Sequence, residues 1–548
     1  MKLFSRNYRL LITTTGIILL AILPFVRNRK MNMEKNTTSQ TNESQVMKTA
    51  SSYIIPADFP DPDIILVDDT YYMVSTTMHF MPGCVILRSY NLVDWEHAAY
   101  VFDELEPTLG QTLKDNKGVY GKGMWAACLR HHNGKFYITF VANDTHKTYL
   151  YTADKIEGPW TKSEIKGFFH DMSLLFDDDG RVYCVSGNMN IHLTEMEPDL
   201  SEPKDGGINK VIIQDNPENV ILGYEGSHIY KINGKYYIFF IHMPKGKMRT
   251  QACFVSDKID GPYTGKDVLC SDLAGWNSGT AQGGIVQANN GNWYSIVFQD
   301  HGALGRIPVL VPVKFVDDFP IFGATGFAPK QISVPDNRPD YEYKPLYSND
   351  FTNPAWQWNH IPDKNLTSVN SSTFTVKTDK TCINVVQASN TLTQRTFTEH
   401  CSGKVTVNAS EINEGDITGL CALEGEYGFI GITKKDGKLL LITAEHKIPY
   451  TPWSMGVYDT EKPVITSEKE ISTSEMTLKA TFNLEHTKEN VQFGYFDNES
   501  GEYIDFGEPV KLRYTLDQFV GVRFALFCYS TEKAGGKATF KEFELELL

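Results

Sequence analysis

One pattern returns five times in the first half of this chain, and it restricts the fold more than any other feature. A short apolar run meets a turn, mostly of Asn-Gly or Asp-Gly type, and aromatic residues then lead into a second run. The copies are DDTYYMV (68–74), NGKFYIT (133–139), DGRVYCV (179–185), NGKYYIF (233–239) and NGNWYSI (290–296). Asn-Gly and Asp-Gly between strand-like runs are strong hairpin signals, because both residues tolerate the positive φ of a tight turn. The last tyrosines of the copies, Tyr72, Tyr137, Tyr183, Tyr237 and Tyr294, are 65, 46, 54 and 57 residues apart. Each interval has room for a four-stranded sheet. A second repeat, DKIEGPW (154–160) and DKIDGPY (257–263), follows two of the hairpins at the same place. A period kept through five copies predicts a five-bladed β-propeller over residues 52–332, in preference to a generic run of hairpins in a sandwich.

At 548 residues the chain is too long for one ordinary core. A Pro- and Asp-rich stretch, SVPDNRPDYEYKP (333–345), reads as a linker. Beyond it, residues 346–548 alternate apolar and polar positions, as in SGKVTVNAS and KATFKEFELEL, with no long helical period. That pattern predicts an antiparallel β-sandwich, so the whole chain reads as all-β. The nine cysteines are scattered without CxxC spacing, which suggests buried small hydrophobes rather than disulfides or a zinc site. The net charge of −15 argues against nucleic acid and anionic membrane surfaces as partners and leaves a neutral ligand compatible.

The first residues, MKLFSRNYR, precede an apolar run from Leu10 to Val26. This is the form of an export signal, and it predicts a periplasmic or extracellular protein. No Ala-x-Ala site follows, and no cysteine stands before Cys84, so residues 1–33 read as a signal peptide or as an uncleaved anchor. Met31 or Met33 as the true start is a third reading. Any membrane tether would run through this segment only. Residues 34–51, rich in Thr, Ser, Asn and Gln, read as a flexible tether.

Three acids fall near the starts of blades. Asp61 lies in ADFPDPDII (57–65), between two prolines that are expected to hold it in an extended conformation. Asp171 lies in FFHDMSLLFDDDG and Glu225 in GYEGSHIYKINGKYY, each expected just before the first strand of its blade. Blade two carries Trp125 in the corresponding slot, and blade five carries small residues. The innermost strands of a propeller surround its axis, so these positions should converge on one mouth. Two converging carboxylates can divide general-acid and general-base work, and a third can hold the acid's pKa high by like-charge repulsion. Calcium binding or ordinary turn acids are the plainer alternatives.

The motifs FPDPDI, HDMSLLFDDDG and EGSHIYKINGKYY, in this order over five blades, resemble glycoside hydrolase family 43. WQWNH (356–360) resembles the start of the concanavalin-like sandwich that follows the propeller in that family's β-xylosidase-like members. The resemblance implies an inverting exo-hydrolase that removes arabinose or xylose from hemicellulose such as arabinoxylan. By it, Asp61 is the base that activates water, Glu225 the acid that protonates the leaving oxygen, and Asp171 the carboxylate that orients Glu225 and raises its pKa. Arg306, in GALGRIPVLVPV, matches the family arginine that binds sugar hydroxyls. Trp125 would wall the sugar, and His79 and His228 are candidates for the pocket border. No cofactor is implied beyond a structural calcium ion or a water in its place, with His301 as candidate ligand; one imidazole alone suits calcium poorly. The chain departs from the family in Trp-Ala-Ala (125–127) for Trp-Ala-Pro and in Asp-Met-Ser (171–173) for Asp-Pro-Ser. A non-catalytic carbohydrate-binding protein of the same fold is the competing reading. An interaction scaffold is disfavoured by the lack of WD or kelch signatures.

Overall fold

Hairpins form at the turns that the repeats mark. The computed structural model describes residues 46–448, 460–516 and 518–548. Asn133 and Gly134 take φ of 51° and 73°, and Asn233 and Gly234 take 50° and 79°, as two-residue turns between strands require. Four blades are four-stranded antiparallel sheets, beginning at strands Asp63–Val67, Cys128–His132, Ser173–Phe176 and Val220–Ile232. The fifth is built on Trp293–Asp300 and Arg306–Val316, with two short strands, Thr280–Ala281 and Ile285–Gln287, on its inner edge. All nine cysteines are free, and all but Cys270 are buried.

The first strands meet around the axis, where one ion pair gathers the blades. Asp63, fully buried in blade one, accepts from the Arg130 guanidinium at 2.7 Å and the Leu129 amide at 2.8 Å, both in blade two. Arg130 also donates to the Leu174 carbonyl at 2.8 Å and the Ser173 hydroxyl at 2.7 Å in blade three. From blade four, His228 Nδ1 lies 3.1 Å from the other Asp63 oxygen, and the Tyr230 hydroxyl accepts from the Ile285 amide of blade five at 2.9 Å. Gly284 of blade five must be glycine, because a Cβ there would stand 2.6 Å from Asp63 Oδ1. Burial alone would raise the Asp63 pKa, but Arg130 and His228 hold it well below the usual carboxylate range.

Two expectations about segments are corrected. Residues Met47–Ser51, expected as part of a flexible tether, form a strand paired with Gln331–Pro335. The stretch expected as a linker begins inside that strand and then packs on blade one. Arg338 pairs with Asp69 at 2.7 Å and stacks on Tyr90 at 3.9 Å, and the Tyr341 hydroxyl donates to Glu96 at 2.5 Å. The export segment and residues 34–45 lie outside the described residues. No helix among the described residues is long and apolar enough to cross a membrane.

The C-terminal half is a sandwich of two antiparallel sheets. Phe374, Leu478, Phe482, Phe524, Leu526 and Phe540 fill its core. One sheet runs on into the propeller: Trp356–Asn359 pairs with Phe80–Met81, a two-residue strand of blade one. The two halves therefore share backbone hydrogen bonds and one apolar core.

Removing one member of a buried ion pair leaves the other uncompensated, at a cost of about 3–5 kcal/mol. Asp63→Ala should lose about that much stability, read as a lower midpoint in urea unfolding followed by tryptophan fluorescence. Ser173→Ala, which removes a neutral partner, should lose about 1 kcal/mol.

Candidate active site

A recurring kink brings the acids to one mouth. The residue two places before each inner strand's axial position has positive φ in four blades: Asp61 at 53°, Asp171 at 48°, Gly226 at 63° and Gln282 at 60°. These residues turn the chain sharply into the axis, and Asp is among the side chains that tolerate this region. The extended conformation expected for Asp61 is thus overturned. The average restriction imposed by a following proline yields here to tertiary bonds. The Pro60 carbonyl accepts from the Ser75 hydroxyl at 2.7 Å and the Thr76 amide at 3.2 Å, which locks the loop on blade one.

Asp61, Asp171 and Glu225 line one cavity of about 360 Å³, with Trp125 and Arg306 beside them. Asp61 is 7% exposed and accepts from Arg306 Nη1 at 2.9 Å. Burial raises its pKa, and the Arg306 charge opposes that rise. Asp171 is held by its neighbours' backbone: its Oδ2 accepts from the Gly226 amide at 3.0 Å and its carbonyl from the Ser227 amide at 3.2 Å. Burial raises the Asp171 pKa, and the charge of Glu225 adds to this against His170. Glu225 is not in front of its strand, as expected, but inside the 13-residue strand Val220–Ile232. The register slips on both sides of it, and these bulges turn its carboxylate into the mouth.

The other sequence candidates divide. Arg306 and Trp125 line the cavity. His228 lines a separate small recess that it shares with Asp61 and Asp171. His79 does not reach the pocket: it is fully buried against Tyr120 and His360, with ring centroids 4.7 and 4.8 Å away, and its neighbour Met78 lines the cavity instead. His301 is also elsewhere, between Trp276 at 4.5 Å and the edge of Tyr53 at 4.8 Å. Burial pushes its pKa down to about 3. An imidazole held between two aromatic rings does not fit calcium, which takes six or more oxygens. Among the described residues, His170, Asp171 and Glu225 form the only group of three whose ligand atoms all lie within 4.8 Å of one another. An imidazolium facing two carboxylates accounts for that approach without an ion.

The pocket residues not singled out from the sequence include His170, Asn188, Arg249 and Phe519. His170 Nε2 lies 3.4 Å from Glu225 Oε2, and the Asn188 amide donates to the same oxygen. Arg249 pairs with Asp300 and faces the charges of Glu225 and Asp61. Phe519 comes from the sandwich: its ring lies 4.5 Å from the Arg306 guanidinium, and its carbonyl accepts from Arg306 Nη2 at 3.2 Å. Asp58 holds that loop in place. Its two oxygens accept from the Arg306 amide at 2.8 Å and the Gly521 amide at 3.0 Å. Gly521 has no room for a side chain, since a Cβ would stand 2.4 Å from the Leu304 carbonyl.

The chain's two halves each match a family model: "Glycosyl hydrolases family 43" over residues 51–320, and the "Beta xylosidase C-terminal Concanavalin A-like domain" over 346–546. The chain belongs to glycoside hydrolase family 43. A β-xylosidase of Formosa agariphila is 30% identical, over 56% of this chain and 58% of that protein. A non-reducing end α-L-arabinofuranosidase of Bacteroides ovatus is 27% identical, over 54% of this chain and 57% of that protein. A solved structure of a bifunctional GH43-CE protein of Bacteroides eggerthii is similar with a TM-score of 0.82 and 36% identity, over 92% of this chain and 64% of that one. The chain thus spans less than two thirds of the length of each of these relatives.

Asp58→Ala removes a charged acceptor from two buried amides, each bond worth about 1.5–3 kcal/mol. The variant should melt at a lower temperature than wild type, and Asp58→Asn, which keeps one acceptor oxygen, should fall between them in differential scanning calorimetry.

Proposed function

We propose that this protein is an inverting, exo-acting glycoside hydrolase that releases arabinose or xylose from plant hemicellulose such as arabinoxylan. The observation that carries this reading is the meeting of Asp61, Asp171 and Glu225 in one cavity at the propeller's mouth. The names of the Formosa and Bacteroides ovatus relatives supply the two candidate sugars. Trp125 and Phe519 give apolar faces suited to the C–H side of a sugar ring.

In the proposed reaction Asp61 takes a proton from water as the oxygen attacks the anomeric carbon. The glycosidic C–O bond breaks, and Glu225 gives its proton to the leaving oxygen. Burial raises the Asp61 pKa, which makes it a stronger base once ionised, and the Arg306 charge opposes that rise. The left-handed backbone at Asp61 and the bonds to Pro60 hold that carboxylate in one direction, so its water approaches along one line. Asp171 sits against the backbone of the Glu225 segment and orients it. The chemistry needs no redox group or external cofactor. We also propose that the protein acts outside the cytoplasm, on the strength of its basic start and the apolar run from Leu10 to Val26.

Glu225→Gln should lower the rate on xylo- or arabinoxylan oligosaccharides by about 10²–10⁴-fold, with less loss on aryl pentosides, whose leaving groups need no proton. Asp61→Asn should be as damaging on both. Full activity of either variant on oligosaccharides would remove that residue's role, and a wild-type protein that binds pentosides without cleaving them would make this a binding protein. Arg306→Met takes away the charge that opposes the rise of the Asp61 pKa, so Asp61 should protonate at higher pH than in wild type. The acidic limb of the kcat/KM profile should then rise by about 1–3 pH units.

A further inference from the structure

His170 precedes Asp171, and no role has been assigned to it in the acid–base scheme above. Its Nε2 stands between two carboxylates from different blades, 3.4 Å from Glu225 Oε2 and 3.7 Å from Asp171 Oδ2. The Gly187 amide donates to the His170 carbonyl at 2.9 Å, and the imidazole faces Trp125 with ring centroids 5.9 Å apart. The side chain is 22% exposed, so the ring borders the cavity. Asn188 donates to the same Glu225 oxygen that His170 faces. Among the described residues no hydrogen bond falls on Glu225 Oε1. The two donors therefore engage one oxygen of the acid and leave the other for a transferable proton.

We infer that His170 is a positioning residue for Glu225: with Asn188 it holds one oxygen of the acid and turns the free oxygen toward the leaving group. This rests on the hydrolase reading above. The charge of Asp171, more than any other group, pushes the His170 pKa up to about 9 against burial, so the imidazolium persists through neutral pH. The charged groups around the cluster come from several elements. Asp171 lies on the same segment, Glu225 on Val220–Ile232, Arg249 faces Glu225, and His228 and Asp61 act on Asp171. None of these others places a cationic nitrogen between the two carboxylates.

The test compares kcat and KM for wild type, His170→Gln and His170→Lys on an aryl pentoside and on a xylo- or arabino-oligosaccharide. In His170→Gln kcat should fall about tenfold on the oligosaccharide and less on the aryl pentoside, whose leaving group needs no proton, with KM little changed. His170→Lys restores a cationic donor and should bring the oligosaccharide rate back toward wild type. An unchanged oligosaccharide rate, or an equal loss on both substrates, in a folded His170→Gln variant overturns the inference and leaves the hydrolase reading intact. A wild-type protein without activity on any pentoside overturns both. If His170→Gln does not fold, the wild-type imidazole still decides: its NMR titration midpoint should drop in Glu225→Gln, and an unchanged midpoint overturns the coupling.

Discussion

The ion pair between Asp63 and Arg130 lies where the first strands of the blades meet, and the site above it depends on that closure. A propeller has no continuous hydrogen-bonded ladder around its axis, so something must hold its inner strands in register. Here a buried carboxylate and guanidinium, with Ser173, His228 and a glycine that leaves room for them, bond blade to blade. Such a network carries a large desolvation cost and stabilises only when every member is satisfied. Its geometric effect is plain. Asp61 and Asp171 stand two residues before Asp63 and Ser173, so fixing the latter fixes the former. Glu225 stands three before His228 and is fixed the same way.

A second constraint crosses from the propeller to the sandwich. Asp58, three residues before Asp61, bonds the backbone of Arg306 in blade five and of Gly521 in the sandwich. Arg306 in turn holds the Asp61 carboxylate and the carbonyl of Phe519. One short acidic stretch thus ties the proposed base, its arginine and the sandwich loop into a single unit. The sandwich is part of the pocket wall rather than a separate appendage, and the backbone pairing of Trp358 with Met81 braces the same junction.

The legible and the hidden parts of this molecule divide by range of interaction. Asn-Gly and Asp-Gly turns act within four residues, so the hairpins and the five-blade period could be read from the sequence. The acids could be placed by their position relative to those hairpins. The Asp61 backbone was misread because the rule for residues before proline is an average, and the bonds from Ser75 and Thr76 outweigh it. Glu225 was set one element too early because bulges depend on the partner strand. Residues Met47–Ser51 look like a tether in composition and become a strand only through a partner almost 300 residues away. Phe519 and Asn188 carry no local signal of a pocket. His170 did carry one, a titratable ring beside a proposed catalytic carboxylate, whereas Arg249, in the basic run PKGKMRT, did not stand out.

The central claim is that carboxylates on separate blades of a rigid propeller perform a single displacement with water, without a covalent sugar intermediate. Time-resolved proton NMR of the sugar released from arabinoxylan oligosaccharides tests it most directly. The account predicts that the first anomer to appear has the configuration opposite to that of the cleaved bond, and that mutarotation brings the other later. Early release with retained configuration would contradict it, since retention requires a carboxylate nucleophile close to the anomeric carbon in place of the water that Asp61 is proposed to activate.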